Sequence, residues 1–280
     1  MSEIIHSPER KFNLQALEAP IPPMVDLRRI KIGYYDVPID TTHELFNEPL
    51  VSLSEMGVAG QSYYSKPNPS TGEALPGVDP EQYLRASVAE KVKQLNDLLK
   101  QPAVTEFFGR PVGLYVMDAL RPITLQHKLY DEVLPNLIRQ QYPDITDDDL
   151  AARRNTLIAK PSDDPTRPSP HSTGGVLDLE LRYLDENGDI TEERIEYGID
   201  HNDKSERTFP DFYELNEPAN DTERLAQQYR RAFYNIMTGS AFGFETGFVN
   251  NPTEWWHWGI GDQLSARVSG KDSAMYSIAL

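Results

Sequence analysis

Cysteine is absent from the 280 residues of the chain. Disulfide bonds, a catalytic thiolate and a cysteine-ligated metal site are therefore excluded. Basic residues are also scarce, because 27 Lys and Arg stand against 44 Asp and Glu and give a formal net charge of -17. This balance disfavours nonspecific binding to nucleic acid or to anionic membranes, so we expect neither as a partner.

Long apolar runs are missing as well. No stretch is apolar over the length that a bilayer span requires. Residues 1–17 carry charges throughout, unlike a secretory signal, and we expect a cytoplasmic protein. Hydrophobic residues make up 39% of the chain, enough to bury a substantial core. We predict one domain over 1–280, with an irregular N-terminal extension over about 1–28.

Two short motifs carry most of the chemical information. The first is Ser-Pro-His-Ser-Thr-Gly-Gly-Val-Leu-Asp at 169–178, and the second is Glu-Trp-Trp-His at 254–257. They supply His171, Asp178 and His257, whose side chains are of the types that bind zinc. Two imidazoles and one carboxylate leave a fourth tetrahedral position for water, as a hydrolytic zinc site needs. The motifs indicate a zinc peptidase with one Zn²⁺ per chain.

Each motif also has a plainer interpretation. A histidine followed by an aspartate at this spacing is common by chance, and a tryptophan-rich segment commonly packs in a core. Ser169, His171 and Asp178 could also form a catalytic triad. However, a serine two residues before its own base projects poorly toward it, and the triad leaves Glu254 and His257 without a role. The two motifs together favour the metal site.

The local pattern places the ligands on definite elements. Gly174 can turn the chain into a strand over 176–181, in which apolar and polar residues alternate and Asp178 is included. The tryptophans at 255, 256 and 258 predict a second strand. Residues three apart on a strand face opposite sides, so a bulge or the end of the strand must bring Glu254 and His257 together.

At these residues the chain resembles the VanX-type D-alanyl-D-alanine dipeptidases, zinc peptidases that share a fold with the Hedgehog signalling domain. That family carries Ser-x-His-x-x-Gly-x-x-x-Asp and Glu-x-x-His in this order, after an Asp-x-x-Arg-Pro motif. The last is matched by Asp-Ala-Leu-Arg-Pro at 118–122. The resemblance spans about 29–261, most of the chain.

The resemblance implies a role for each motif residue. His171, Asp178 and His257 hold zinc, Glu254 is the general base and acid, and Arg121 stabilises the oxyanion. The expected substrate is the D-Ala-D-Ala dipeptide. The expected fold class is α+β, with a small, mainly antiparallel sheet that carries the metal site and is flanked by helices.

The chain departs from the family near the substrate. Ala-Leu replaces the usual Gly-Tyr before Arg121. An ungapped match places Asn202 where the family has the Asp that binds the free amine, and Asp200 and Asp203 flank it. With Ser169, these three are candidate substrate-binding residues. N-terminal tyrosines contribute to the pocket in the family, and the loose counterparts here are Tyr34 and Tyr35.

Two alternative functions stay open at this point. One is a D-alanyl carboxypeptidase or endopeptidase acting on longer cell-wall peptides, which a weakened amine site would suit. The other is a noncatalytic zinc-stabilised binding protein. Glu254 and Arg121 argue against the second, because a structural zinc site needs neither a free carboxylate nor an oxyanion donor.

The remaining sequence is interpreted as scaffold. A strand is expected over 112–116, helices over 80–100, 123–141 and 222–239, and loops over 61–79 and 159–170. The apolar residues expected to face the core are Leu84, Val88, Val92, Leu95 and Leu99 in the first helix, and Leu225, Tyr229, Ala232, Phe233 and Ile236 in the third.

Overall fold

The structure, a computed structural model, describes residues 12–25, 34–67, 72–201, 203 and 205–279. The strands are β1 (Leu50–Ser52), β2 (Ala59–Gly60), β3 (Tyr83–Arg85), β4 (Val112–Asp118), β5 (Val176–Leu184), β6 (Ile190–Arg194), β7 (Val249–Asn250) and β8 (His257–Gly259). The helices are α1 (Leu14–Leu17), α2 (Ala86–Leu98), α3 (Pro102–Phe108), α4 (Ile123–Lys128), α5 (Leu134–Gln141), α6 (Asp147–Leu157), α7 (Phe212–Leu215), α8 (Asp221–Thr238) and α9 (Gln263–Val268).

The main sheet has the strand order β2-β4-β5-β8-β7, and β6 also pairs with β5. Only β2 and β4 run parallel among these described strands, since every other pair is antiparallel. A separate antiparallel ribbon joins β1 to β3. The expected α+β class with a small, mainly antiparallel sheet is confirmed.

The centre of the sheet is buried on both faces. Leu177, Leu179 and Leu181 of β5 are fully buried, as their alternation predicts, but Val176 and Glu180 on the opposite face are buried as well. All of β4 is also buried. The strand predicted over 112–116 is confirmed and continues to Asp118. Asp178 of the metal motif therefore lies on a strand whose centre is buried on both faces.

The first predicted helix begins later than its apolar spacing indicates. Residues Tyr83–Arg85 form β3, and α2 occupies only Ala86–Leu98. Leu84 is buried as expected, but on a strand that pairs with β1. The apolar spacing before Ala86 cannot reveal this pairing, because the partner lies more than thirty residues earlier in the chain, at 50–52.

The second predicted helix is confirmed with one irregularity. A π-helical turn at Leu129–Val133 separates α4 from α5. Pro135 lies in the first turn of α5 and has no N–H to donate back along the helix. The wider π turn lies directly before it, where the regular ladder is interrupted.

The third predicted helix is confirmed as α8. Asn220 caps its start by accepting from Glu223 N, and Gly239 ends it with a φ of 85°. Most of the predicted stripe is buried. Leu225 is the exception at 38% exposure, so its placement in the core was wrong. The loop prediction for 159–170 is confirmed up to Pro170, where a 3-10 turn begins.

The described parts of the loop predicted over 61–79 contain one regular element, a 3-10 turn at Tyr63–Ser65. In the ranges that the structure covers, no helix is both long enough and apolar enough to cross a membrane.

Candidate active site

Three ligand-type atoms meet at one point of the main sheet. His171 Nε2 lies 3.3 Å from His257 Nδ1 and 3.5 Å from Asp178 Oδ1, and the last two atoms are 3.1 Å apart. Zinc bonds of about 2.0–2.2 Å at tetrahedral angles place ligand atoms about 3.3 Å apart. The observed triangle therefore has the size of one face of a zinc tetrahedron.

The burial and ionisation of the Asp178 carboxylate are also those of a metal ligand. Its Oδ1 is buried and has no hydrogen-bond partner among the described residues. Burial by itself would raise its pKa, but His171 and His257 hold the pKa of this carboxyl well below its usual range. A buried, ionised oxygen is costly unless a cation satisfies it. The three residues fit zinc, and the described ranges contain no other such group of three.

The fold brings these ligands together by strand pairing. Asp178 on β5 is in register with His257 at the start of β8. His171 lies on the 3-10 turn Pro170–Thr173, which Gly174 ends with a φ of 71°. His171 Nδ1 is 3.1 Å from Ala119 O, and an N–H there leaves the Nε2 lone pair for the metal.

Glu254 and His257 lie close together because β8 begins only at His257. The tryptophan pattern predicted a strand through 254–258, but β8 begins only at His257, and Glu254 lies in the preceding turn. Glu254 Oε2 is 3.5 Å from His257 Nδ1. The side chain is 33% exposed and lines a cavity. This carboxylate stands beside the three ligand atoms and can take a proton from water in the cavity.

Arg121 is held from two sides. Its Nε and Nη2 donate to Asp118 Oδ2, the first at 3.0 Å, and its Nη1 donates to Gln126 Oε1 at 2.8 Å. Burial would lower the pKa of Arg121, but Asp118 raises it above its ordinary value, so the guanidinium is charged. These bonds use three of the five N–H groups of a guanidinium and leave two for a ligand in the cavity.

All five motif residues line the same cavity, which has a volume of about 370 Å³. Ser169 also lines it, but the Ser169 hydroxyl donates to Lys160 O at 3.1 Å. His171 uses its nitrogens toward Ala119 O and the other ligands, so the triad interpretation of Ser169 was wrong. The far wall comes from the end of α6 and the residues after it, and includes Asn155 and Ile158.

Two of the three candidate amine-binding residues lie away from the cavity. Asp200 forms an ion pair with Arg194 and its side chain is 68% exposed. Neither Asp200 nor Asp203 lines the cavity. Asn202 lies outside the described residues.

His201 lines the cavity, unlike Asp200 and Asp203, although the sequence indicated no role for it. Its ring meets Tyr63 edge-on at 5.4 Å and Trp256 at 6.1 Å between centroids. Burial lowers the pKa of His201, so the ring is neutral. Both ring nitrogens lack a hydrogen-bond partner within the described ranges.

The tyrosines of the cavity also differ from those expected. Tyr63 and Tyr64 line it, whereas Tyr35 does not. The side chain of Tyr34 lies outside the part of the chain that the structure describes. The Tyr64 ring centroid lies 5.1 Å from the guanidinium carbon of Arg121, close enough for a cation–π contact. Burial raises the pKa of Tyr64 well above its usual value, so its hydroxyl is neutral. The available signal was an aromatic pair in a loop otherwise rich in Pro, Gly and Ser.

The chain is similar to known peptidases. The peptidase family M15, described as D-ala-D-ala dipeptidase, matches residues 81–273. A D-alanyl-D-alanine dipeptidase of Synechocystis sp. is 29% identical over 228 residues, which cover 78% of this chain and 84% of the relative.

Among solved structures, a Zn(II) complex of a mutant vancomycin-resistance D,D-pentapeptidase VanY, from a VanB-type cassette, aligns with 74% of this chain and 90% of that one. Its sequence identity is 16% and its TM-score is 0.32. So loose a superposition carries no argument here.

Proposed function

The chain belongs to the M15 peptidase family described as D-ala-D-ala dipeptidase, and we propose that it is a zinc-dependent dipeptidase that hydrolyses D-alanyl-D-alanine. The observation that carries this proposal is the shared cavity. There a zinc-sized triangle of ligand atoms lies beside a carboxylate outside that set, and a buried, charged guanidinium lines the same space. Structural zinc sites have no need of the last two groups.

His171, Asp178 and His257 would hold one zinc ion per chain. Zinc in such a site lowers the pKa of water toward neutrality and polarises the scissile carbonyl. Glu254 takes the proton of the attacking water and then passes it to the departing amine, so one carboxylate acts as base and then as acid. Arg121 directs its two remaining N–H groups at the carbonyl oxygen as negative charge develops there.

The assignment of Ser169, Asp200, Asn202 and Asp203 to substrate binding stays a prediction, as do the cytoplasmic location and the single domain. Binding of a free amine calls for a carboxylate that is not otherwise engaged. In the described lining of the cavity the acidic residues are Asp118, Asp178 and Glu254. Each of these already has a partner or a role.

That observation supports a second candidate function, a carboxypeptidase that accepts longer D-alanyl peptides without reading a free amine. N-acetyl-D-Ala-D-Ala separates the two functions. A dipeptidase should hydrolyse it far more slowly than D-Ala-D-Ala, because the acetyl group removes the positive charge. A carboxypeptidase should hydrolyse both at similar rates.

The decisive experiment measures alanine release from D-Ala-D-Ala by zinc-loaded protein, beside L-Ala-L-Ala and the variant Glu254→Ala. We expect release from the D,D dipeptide only, with the variant inactive but still binding one zinc. Absence of release from wild-type protein that holds stoichiometric zinc would rule out this substrate.

A further inference from the structure

Asn250 and Asn251 lie at the end of β7, directly before the turn that carries Glu254. Asn250 is the last residue of β7, and Asn251 N donates to His257 O at 2.9 Å. Glu254 N donates to Asn251 O at 3.2 Å. The main chain of Asn251 is thus hydrogen-bonded to the predicted metal ligand His257 and to the predicted base Glu254.

The side-chain amide of Asn250 faces the main chain of the turn. Its Nδ2 donates to Glu254 O at 3.1 Å, to His257 O at 2.8 Å and to Trp255 O at 3.4 Å. Asn250 is 4% exposed. Among the described residues, its side chain donates hydrogen bonds to main-chain carbonyls of the motif, so its contribution is to the shape of the turn.

The amide of Asn251 points into the active cavity instead. Its Nδ2 donates to Glu254 Oε2 at 2.9 Å. Among the described residues, Asn251 is the one whose side chain donates a hydrogen bond to the Glu254 carboxylate. Asn251 also lines the cavity.

The orientation of this amide is fixed by Thr253. Asn251 Oδ1 accepts from Thr253 N at 3.1 Å and from Thr253 Oγ1 at 3.0 Å. Two donors on one side identify that atom as the carbonyl oxygen, so the NH₂ group must face Glu254. A donor aimed at Oε2 restricts the rotation of a side chain that is one-third exposed.

We propose that Asn251 is the positioning residue that holds the Glu254 carboxylate in the cavity by donating from Nδ2 to Oε2. The proposal rests on the proposed function, since it gives Glu254 the role of base. Misplacing a catalytic group by about 1 Å can cost on the order of 10²-fold in rate. The loss should appear in kcat, because Asn251 helps the reaction through Glu254 and contacts neither the ligand set nor Arg121 through its side chain.

The test uses Asn251→Asp beside Asn251→Ala in the full-length, zinc-loaded protein. Aspartate has the same shape and keeps an acceptor for both Thr253 donors, but it replaces the donor by an anionic oxygen next to Glu254 Oε2. If Asn251 positions the base, kcat falls on the order of tenfold in Asn251→Ala and about 10²-fold or more in Asn251→Asp. KM and zinc content stay within about threefold of wild type, a range small beside that loss.

A purely structural role in the turn predicts the reverse order, since aspartate retains the Thr253 bonds that alanine loses. Near-wild-type kcat in Asn251→Asp would therefore overturn the proposal. Asn155→Asp is the matched control, because it adds the same charge to the cavity wall, where Asn155 Oδ1 accepts from Tyr130. A loss in Asn155→Asp as large as in Asn251→Asp would also overturn it.

Crystal structures of the same variants separate this proposal from the proposed function. With positioning, the Glu254 carboxylate occupies one orientation in wild type and leaves it in both Asn251 variants, whatever substrate the enzyme takes. An unchanged Glu254 in Asn251→Asp would refute the positioning role even if D-Ala-D-Ala is hydrolysed. Inactive wild-type protein with a displaced Glu254 in the variants would refute only the substrate.

Discussion

At the residue scale, Arg121 depends on neighbours that leave it little freedom. Asp118 lies three residues earlier at the end of β4, and Gln126 lies on α4, so the guanidinium is bonded to a strand and to a helix at once. Gln126 is itself held, because its amide donates to Ala159 O at 2.5 Å. The planar fork of arginine suits this arrangement, and lysine could not make the same set of bonds.

We therefore expect Arg121→Lys to lower kcat/KM by about 10²–10³-fold, the loss seen when an oxyanion donor is removed. The charge is kept, but the donors to Asp118 and Gln126 cannot both be replaced. Zinc content should match wild type, since Arg121 is outside the ligand set. Steady-state kinetics with D-Ala-D-Ala checks this, and a variant with wild-type kcat/KM would show that Arg121 does not act on the carbonyl oxygen.

A second residue-scale prediction concerns Gly175, between the turn of His171 and the strand of Asp178. A Cβ there would lie 2.4 Å from Ile260 O and 2.7 Å from Tyr276 Cδ2. The clash is with main chain that itself bonds to Gly175, since Ile260 N donates to Gly175 O. Gly175→Ala should lower the free energy of unfolding by about 3 kcal/mol.

Urea denaturation of Gly175→Ala beside Gly188→Ala tests this. Gly188 has a φ of 85°, and no atom lies within 4 Å of an added Cβ. Alanine there is therefore strained only by the left-handed backbone conformation. Alanine at Gly188 should cost about 1–2 kcal/mol. Equal losses in the two variants would contradict a steric role for Gly175.

At the element scale, α4 contributes Gln126 to the cavity wall, and a surface contact ties this helix to the loop that leads to His171. His127 on α4 is the clearest such contact, because Nδ1 lies 3.1 Å from Asp131 in the π turn and Nε2 lies 3.2 Å from Asp163 in that loop. One imidazole thus joins α4, the π turn and the loop that leads to His171.

This contact predicts a pH-dependent contribution to stability. The hydrogen bond to Asp131 and that to Asp163 raise the pKa of His127 above its ordinary value of 6.5. The folded state therefore binds the proton more tightly than the unfolded state. The stabilisation is complete below the unfolded pKa and is lost as the pH rises through the raised folded pKa.

Comparing the free energy of unfolding of wild type and His127→Gln by urea denaturation measures this contribution. The difference should be largest below pH 6.5, the ordinary pKa of histidine, and should shrink as the pH rises above it. The side chain is 41% exposed, so solvent screening keeps the effect under about 1 kcal/mol. A difference that does not change with pH would show that the contact acts through packing alone.

At the scale of the whole molecule, the zinc ligands connect parts of the chain that are far apart in sequence. His171 belongs to a turn, Asp178 to β5 and His257 to β8. An ion that binds all three in the folded state, and not in the unfolded chain, raises stability by mass action.

Saturating zinc should therefore raise the Tm of metal-free protein. At about 1,000 times Kd the gain is about 4 kcal/mol, which for a domain of this size corresponds to roughly 10 °C. Differential scanning calorimetry of protein treated with chelator, with and without added zinc, measures the shift. His257→Ala should lose most of it, and an equal shift in that variant would place the stabilising zinc elsewhere.

Much of this protein follows from its sequence alone. The spacing of His171, Asp178 and His257 identified ligand types whose atoms the structure brings within 3.5 Å of one another. Glu254, named beside the last, reaches His257 Nδ1 at 3.5 Å. The alternation along β5 and the apolar stripe of α8 predicted elements correctly, because both signals come from neighbours only a few residues apart.

Tertiary structure decided everything that depends on distant partners. Pairing with β1 turned Tyr83–Arg85 into a strand, and the start of β8 at His257 put Glu254 in a turn where it reaches the ligands. The fold also put Tyr64 and His201, rather than Asp200, at the cavity. The physical reason is that a local pattern specifies periodicity and chemistry, whereas the direction of a side chain is set by the segments packed against it.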